Sequence, residues 1–421
     1  MEKETLAIHS GYVKDSQGTM AVPIYQTTAY EFRDVEHAGN LFALKELGNI
    51  YTRLNNPTTE VFEKRLATLE GGAGALATAS GMSAITYSLM NVAESGDNII
   101  ASSKLYGGSL TLLTHTLKRF GIEARFFDIE NPSSIESLID ENSKGIFFES
   151  LSNPSVDVAD IEAITEIANR FNILTIVDNT VPTPILCNPI SSGVDVVVHS
   201  ASKYITGQGL AIGGAIVERE NIVEKIKDNP RYPQFNKPDE SYHGLVYVDL
   251  PLPIFTLRAR LLFLRDMGAT LSPFNSWLFI QGLETLPLRM KQHSDSAFTI
   301  AEFLNSHPKI QKVNYPELID SKNRLLAKKY LSDGASGLLS FELENSENAT
   351  KVVDGVEIFS LVVNIGDSKS IITHPASTTH QQLSDNEMVE AGISKGLIRL
   401  SIGLESAKDL MNDLEQALAN I

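Results

Sequence analysis

The sequence predicts an α/β fold with a mostly parallel central sheet, helices on both faces of that sheet, and a smaller C-terminal α/β domain. Three observations support this prediction. Short apolar runs alternate with helical stretches, polar side chains directly follow two of these runs, and 421 residues with 43% hydrophobic content suffice for a large core. A chain of this length and composition is expected to form two domains.

Three parts of the chain differ in pattern. Residues 1–56 are rich in turn formers and are expected to form an irregular N-terminal arm, which suits a segment that crosses to a partner subunit. Residues 57–256 carry the alternation of strands and helices, so they are the expected large, ligand-binding domain. Residues 257–421 are expected to form a linking helix and the C-terminal domain.

The individual elements follow from spacing. After Pro57, apolar side chains on one face predict a helix that a threonine caps and two glycines end. These residues are Phe62, Leu66 and Leu69, the cap Thr58 or Thr59, and Gly71-Gly72. Runs 98–101, 124–127, 145–149, 173–178 and 194–199 predict strands, with a helix over 157–171. Residues 257–304 are expected to be mainly helical, with Pro273 and Pro287 as breaks or helix starts, and residues 338–343 to form a strand.

Charge and cysteine content exclude several classes of function. A formal net charge of −17 argues against nucleic acid, because a phosphate backbone would be repelled. Cys187 is the only cysteine, so an intramolecular disulfide or a cysteine-cluster metal site is impossible and a cytoplasmic location is expected. His374 and His380 are poorly spaced for a helical metal pair, so no metal is expected. The sequence shows neither an N-terminal signal peptide nor a run long enough to cross a bilayer.

Lys203 and Asp178 are the residues that best indicate which reaction chemistry the protein could perform. Each follows or ends an apolar run, and a lone pair of this kind is most often a surface lysine and a strand-end aspartate. A lysine amine can also hold the aldehyde of pyridoxal phosphate as a Schiff base, while a carboxylate keeps the pyridine nitrogen protonated. The neighbouring residues favour this second interpretation.

Those neighbours supply what a phosphorylated ring needs. Ser200 and Ser202 flank the lysine, and their hydroxyls are suited to a phosphate. Gly81 and Met82 lie between a small-residue strand and a helical stretch, where free amides and the helix dipole favour an anion. Tyr106 is a candidate platform for ring stacking.

The chain resembles the Cys/Met metabolism enzymes dependent on pyridoxal phosphate, which have the aminotransferase-like fold type I. The resemblance covers nearly the whole chain and has eight motifs in family order. These are Tyr51-Thr52-Arg53 with Asn56-Pro57-Thr58, Ser80-Gly81-Met82, Leu105-Tyr106-Gly107-Gly108, Ser152-Asn153-Pro154, Val177-Asp178-Asn179-Thr180, Ser200-Ala201-Ser202-Lys203-Tyr204, His374-Pro375-Ala376-Ser377 and Arg399-Leu400-Ser401.

The resemblance implies a role for each candidate residue. Lys203 bonds the cofactor and acts as base, Asp178 pairs with the pyridinium, and Tyr106 stacks on the ring. The phosphate is held by Gly81, Met82, Ser200 and Ser202, and also by Tyr51 and Arg53 of a neighbouring subunit in a homotetramer. Arg399, Asn153 and Asn364 bind the substrate.

Within this family, three features favour the O-acetylhomoserine sulfhydrylases. Gly107-Gly108 lacks the cysteine typical of methionine γ-lyases, residues 364–370 resemble the corresponding sulfhydrylase stretch, and residues 229–255 resemble their long segment. The implied reaction is a γ-replacement that converts O-acetyl-L-homoserine and sulfide, or methanethiol, to L-homocysteine, or L-methionine, and acetate. The alternatives are a methionine γ-lyase, a cystathionine γ-synthase or γ-lyase, and an inactive scaffold that binds a partner.

Overall fold

The larger of two β-sheets is formed by strands between residues 72 and 219. The computed structural model describes residues 1–378, 381, 388 and 392–421. The strands of the larger sheet are β1 (Gly72–Thr78), β2 (Asn98–Ser102), β3 (Glu123–Phe127), β4 (Ser143–Glu149), β5 (Leu174–Asp178), β6 (Val196–Ser200) and β7 (Gly214–Arg219). Their order is β1-β7-β6-β5-β4-β2-β3. β7 pairs antiparallel with β1 and β6, whereas the other neighbours are parallel.

The smaller sheet follows in the C-terminal part. Its strands are β8 (Lys312–Asn314), β9 (Leu338–Glu342), β10 (Ser360–Leu361), β11 (Ile371–Thr373) and β12 (Leu397–Ser401). They lie in the order β10-β11-β12-β9-β8. Only β10 and β11 pair parallel among the described strands of this sheet. β12 occupies the centre and carries Arg399.

Helices of very different length surround the sheets. The α-helices are Lys3–His9, Val35–Phe42, Pro57–Glu70, Gly81–Val92, Gly107–Thr111, Leu117–Arg119, Ile161–Arg170, Thr183–Leu186, Val223–Ile226, Pro233–Asn236, Ile254–Ala259, Arg265–Met267, Pro273–Ser306, Arg324–Tyr330, Ser346–Gly355 and Ala407–Ala419. Leu112–Thr116 and Arg260–Leu264 are π-helical turns. Short 3₁₀ helices span Pro132–Leu138, Pro189–Ser192, Glu240–Tyr242, Tyr247–Asp249 and Pro375–Ser377. Within the described residues, no helix combines the length and apolar character needed to span a membrane.

Both faces of the larger sheet are buried. On one face, the helices Pro57–Glu70 and Pro273–Ser306 pack together, and the rings of Phe62 and Phe279 lie 5.3 Å apart. On the other face, the helix Gly81–Val92 and the segment that begins at Ile254 enclose a second apolar layer. This arrangement confirms the predicted α/β class and explains why the strands are almost continuously apolar.

Two predictions about helix boundaries are wrong. Asn56, rather than Thr58 or Thr59, caps the helix Pro57–Glu70, because its side chain accepts a hydrogen bond from the Thr58 amide at 2.9 Å. Pro57 then takes the first helical position, where a missing N–H costs little. The Thr58 hydroxyl instead donates to the carbonyl of Pro23 at 2.8 Å.

Pro287 does not break a helix. Pro273 starts the helix as predicted, but the helix continues through Pro287 to Ser306. Leu283 and Leu286, just before the proline, are fully buried in the core, and Pro287 is buried with them. Burial of such side chains contributes about 1.5–3 kcal/mol each, enough to offset the ~3 kcal/mol that an interior proline costs.

The segment of residues 1–56 is less irregular than its composition suggests. It contains the helices Lys3–His9 and Val35–Phe42, and the second is capped by Asp34, whose side chain accepts from the His37 amide. Lys3 donates to the carbonyls of Pro184 and Ile185 at 2.6 and 3.0 Å. These bonds attach the start of the segment to the short helix Thr183–Leu186.

Candidate active site

A cavity of about 590 Å³ opens at the carboxyl ends of β5 and β6. Open α/β sheets bind ligands at this edge, because the turns after parallel strands meet there. Most of the predicted site residues line this cavity: Gly81, Met82, Tyr106, Asn153, Asp178, Ser200, Ser202, Lys203, Asn364 and Arg399.

Lys203 lies in the turn that follows β6. Its ammonium donates to the side-chain carbonyl of Asn364 at 2.5 Å. Burial lowers the pKa of Lys203 to about 8, and the positive charge of Arg399 adds to this effect. A much larger fraction of this amine is therefore neutral near pH 7 than in an exposed lysine, as a nucleophile or base requires.

Asp178 ends β5 and faces the same cavity. Burial raises the pKa of its carboxyl group, while hydrogen bonds from Thr180 oppose that effect. The Thr180 amide donates to Asp178 at 2.9 Å. A partly buried carboxylate in this position is a suitable partner for a cationic ring nitrogen.

Glu149 lines the cavity beside Asp178, and sequence reasoning missed it as a site residue. It ends β4 and is the register partner of Asp178 across the two strands. Its carboxylate accepts from the backbone amides of Tyr106 at 2.6 Å and Asn153 at 3.2 Å. Burial and the nearby Asp178 raise its pKa well above the usual value. The available signal was an apolar run that ends in a carboxylate, as the run before Asp178 also does.

The predicted phosphate end combines a helix start with two serines. Gly81 and Met82 are the first two residues of a helix capped by Ser80, so their amides lack acceptors within the helix. Ser200 ends β6 and its own amide donates to the Thr180 hydroxyl at 2.8 Å. The Ser202 hydroxyl bonds the backbone of Gly213, accepting at 2.9 Å and donating at 3.2 Å. Ser202 therefore reaches a phosphate only if its hydroxyl hydrogen turns away from Gly213.

Tyr106 forms one wall of the cavity. Its side chain is 43% exposed, and the helix Gly107–Thr111 begins directly after it. A Cβ added at Gly108 would lie 2.6 Å from the Tyr106 ring, so this ring position requires glycine. The exposed ring face is available for stacking.

Arg399 occupies the opposite wall on β12. Its guanidinium donates to the Asn153 side chain at 3.0 Å, the Asn364 carbonyl at 2.9 Å and the Thr373 hydroxyl at 3.1 Å. Its Nε is buried without a hydrogen-bond partner in the described structure. Burial lowers the pKa of Arg399 to about 10, so it remains cationic at neutral pH. An unpaired buried donor is costly, and an anionic ligand would satisfy it.

Tyr51 and Arg53 do not line the cavity formed by the described residues of this chain. The guanidinium of Arg53 lies 5.3 Å from the centroid of the Tyr51 ring. Tyr51 is 40% exposed and forms an isolated bridge with Ala29 in the N-terminal arm. The structure therefore places these two residues together but apart from Lys203.

Of the two histidines considered as metal ligands, the structure describes only His374, which bonds other protein groups. His374 bonds the Ser377 hydroxyl and the Lys395 carbonyl, the latter at 2.8 Å. His380 lies outside the described residues. Over residues 1–378, 381, 388 and 392–421, no cluster of three potential ligands could hold a metal ion.

The cavity fits pyridoxal phosphate in the chemistry of its donors. An amine with a lowered pKa, a partly buried carboxylate and a helix start lie around one space, as the aldehyde, ring nitrogen and phosphate require. A Cβ added at Gly81 would lie 2.6 Å from the Cβ of Ser200, so only glycine allows the helix start to approach β6 this closely.

Comparison with known proteins agrees with the family resemblance that the sequence motifs indicate. Residues 4–419 match the family model described as "Cys/Met metabolism PLP-dependent enzyme". The chain is 47% identical to the O-acetyl-L-homoserine sulfhydrylase of Leptospira meyeri, covering 99% of this chain and 97% of that protein. It is 44% identical to the homocysteine synthase of Schizosaccharomyces pombe, with the same coverage.

Two crystal structures share the whole fold. A Campylobacter jejuni protein assigned as an O-acetylhomoserine (thiol)-lyase is 55% identical, with a TM-score of 0.98 and full coverage of both chains. That structure contains N'-pyridoxyl-lysine-5'-monophosphate. The metB protein of Corynebacterium glutamicum is 29% identical, with a TM-score of 0.85 over 100% of this chain and 98% of that chain.

Proposed function

The chain belongs to the Cys/Met metabolism family of PLP-dependent enzymes, and we propose that it is an O-acetylhomoserine sulfhydrylase. The reaction is a γ-replacement in which sulfide displaces acetate from O-acetyl-L-homoserine to form L-homocysteine. Methanethiol in place of sulfide gives L-methionine. The observation that carries this proposal is full-length similarity to proteins named for this activity, at 42% to 47% identity.

In the proposed reaction, Lys203 is the residue of the cavity that transfers protons. The bound cofactor supplies an electron sink that stabilises negative charge on the substrate carbons. Lys203 bonds the cofactor and, once released by the substrate amine, removes protons from Cα and Cβ. Its lowered pKa keeps enough neutral amine for both tasks. Loss of these protons allows the Cγ–O bond to acetate to break before the new C–S bond forms at Cγ, after which protons return to Cβ and Cα to give the product.

The remaining residues orient the two bound molecules. Asp178 holds the ring nitrogen, Tyr106 covers a ring face, and Gly81, Met82, Ser200 and Ser202 hold the phosphate. Arg399 binds the substrate carboxylate, supported by its unpaired Nε and by the neighbouring Asn153 and Asn364 side chains.

Assembly completes the proposal. Tyr51 and Arg53 act in the cavity of a neighbouring subunit of a homotetramer, which agrees with their position in an exposed arm away from Lys203. The chain is divided into the arm 1–56, the PLP-binding domain 57–256, and the linking helix and C-terminal domain 257–421. The protein is cytoplasmic, which agrees with a single, buried cysteine.

A substrate panel tests the activity. Purified holoenzyme is given O-acetyl-L-homoserine with sulfide, the same substrate with methanethiol, L-methionine alone, or L-cystathionine alone. We expect homocysteine and acetate in equal amounts from the first mixture, at the highest kcat/KM. Faster breakdown of methionine or cystathionine would assign a γ-lyase, and a protein that neither binds PLP nor turns over any substrate would be a scaffold.

A further inference from the structure

Glu149 connects two walls of the cavity through its carboxylate. One oxygen accepts from the Tyr106 amide at 2.6 Å and the other accepts from the Asn153 amide at 3.2 Å. The residue is 6% exposed, and burial together with the nearby Asp178 raises the pKa of its carboxyl group. The two amides oppose this rise, because hydrogen bonds donated to a carboxylate favour its charged form.

Tyr106 and Asn153, whose amides donate to Glu149, face different parts of the cavity. The Tyr106 ring lines the cavity where the cofactor ring is expected, directly before the helix Gly107–Thr111. The Asn153 side chain accepts from Arg399 at 3.0 Å, on the side where the substrate carboxylate is expected. Glu149 therefore lies between the ring wall and the carboxylate wall, fixed to the end of β4 and in register with Asp178.

We infer that Glu149 is a positioning residue that fixes the Tyr106 ring relative to the Asn153–Arg399 pair. It thereby sets the cofactor ring and the substrate carboxylate at the separation the reaction needs. The inference deepens the proposed function and rests on it for the identity of the substrate. Only a carboxylate offers an acceptor to both amides, because a glutamine would turn an NH₂ group toward one of them.

The test compares Glu149→Gln with a matched control, Glu218→Gln. Glu218 is also a buried carboxylate that accepts two backbone amides, from Phe255 at 2.8 Å and Thr256 at 3.3 Å, but it does not line the cavity. Five quantities are measured on each holoenzyme: visible circular dichroism of bound PLP, affinity for L-homoserine, kcat and KM for O-acetyl-L-homoserine with sulfide, and the melting temperature.

For Glu149→Gln we expect altered visible circular dichroism and an about tenfold rise in KM and in the L-homoserine dissociation constant, from one lost charged hydrogen bond. Glu218→Gln should lower the melting temperature but leave the circular dichroism, the KM and the L-homoserine dissociation constant unchanged. If Glu149→Gln fails to fold, Glu149→Asp decides, because its shorter carboxylate reaches only one amide and should shift the same quantities.

Two other results have distinct meanings. Unchanged circular dichroism and unchanged L-homoserine affinity in a folded Glu149 variant would overturn the inference. A wild-type enzyme that does not turn over O-acetyl-L-homoserine would overturn the proposed function alone, since the dichroism and the L-homoserine affinity would still reveal whether Glu149 positions the two walls.

Discussion

The Lys203 ammonium donates to the side-chain carbonyl of Asn364 at 2.5 Å, although the two residues are 161 positions apart in the chain. The backbone carbonyl of the same asparagine accepts from Arg399 at 2.9 Å. Asn364 thus accepts a hydrogen bond from each of two cations, and the Arg399 charge still contributes to lowering the pKa of Lys203. The amine expected to react and the guanidinium expected to bind the substrate share one small polar residue.

Replacing the amine is the most direct test of the site. We expect Lys203→Ala to lower kcat by at least about 10³-fold, because both covalent attachment and proton transfer are lost. Borohydride reduction followed by peptide mass analysis should find PLP on Lys203 in the wild type and on no lysine in the variant. Lys291→Ala, at an exposed helical position, is the control and should keep full activity. A label on another lysine would refute the assignment.

Arg399 tests substrate binding separately from cofactor binding. We expect Arg399→Gln to weaken binding of the substrate carboxylate by about 1.5–3 kcal/mol, which raises KM by about 10- to 100-fold. Absorbance of the bound cofactor should remain. Arg258→Lys is a matched control, since Arg258 is also buried but donates to Asn91 away from the cavity. Loss of cofactor with normal substrate affinity would contradict the assignment.

Parts of this site could be predicted from local sequence and parts could not. Lys203 and Asp178 stand at the ends of apolar runs, and parallel strands bring such ends together. Arg399 and Asn364 lie far away in sequence, on and beside the second sheet, so only the family motifs connected them with the cavity. Glu149 was counted as the last residue of a strand, because an acidic residue that ends an apolar run is an ordinary strand boundary.

The same distinction holds for the fold. The class followed from alternating strands and helices, but the antiparallel pairing of β7 with β1 and β6 had no local signal, since strand direction depends on partners distant in the chain. Pro287 was expected to interrupt a helix because the local rule ignores packing, and the buried side chains around it outweigh the lost hydrogen bond. The role proposed for Tyr51 and Arg53 involves a second chain, which no local pattern encodes.

The lowered pKa of Lys203 predicts how cofactor attachment depends on pH. Only the neutral amine attacks the aldehyde, so attachment to the apoprotein should slow about tenfold per pH unit below the pKa of about 8 and level off above it. Stopped-flow absorbance after mixing apoprotein with PLP measures this rate. Burial is the main cause of the shift and the Arg399 charge adds to it, so Arg399→Gln should move the inflection to higher pH. An inflection that stays in place would exclude that contribution.

Gly81 tests the phosphate end of the cavity. In Gly81→Ala the new Cβ would lie 2.6 Å from the Cβ of Ser200 and 2.9 Å from its Cα, so the helix start must move away from β6. We expect PLP affinity, measured by equilibrium titration of the apoprotein, to fall by about tenfold or more. Gly39→Ala is the control, because Gly39 lies in the helix Val35–Phe42 and a Cβ added there would meet no atom within 4 Å beyond the helix's own backbone. This variant should keep its PLP affinity and have a more stable helix. Equal PLP affinity in wild type and Gly81→Ala would refute the proposed phosphate site.

Mixing two inactive variants tests whether subunits share their sites. Arg53→Ala should lose cofactor phosphate binding in the partner's cavity, whereas Lys203→Ala should inactivate its own cavity. In a mixed dimer one cavity combines the intact Arg53 of one subunit with the intact Lys203 of the other, so activity should reappear after subunit exchange. With random pairing of equal amounts, about half of the dimers are mixed and each has one working site, which gives about one quarter of wild-type activity. Native mass spectrometry confirms that exchange has occurred. Complete exchange without any recovered activity would show that Arg53 acts within its own subunit or outside the site.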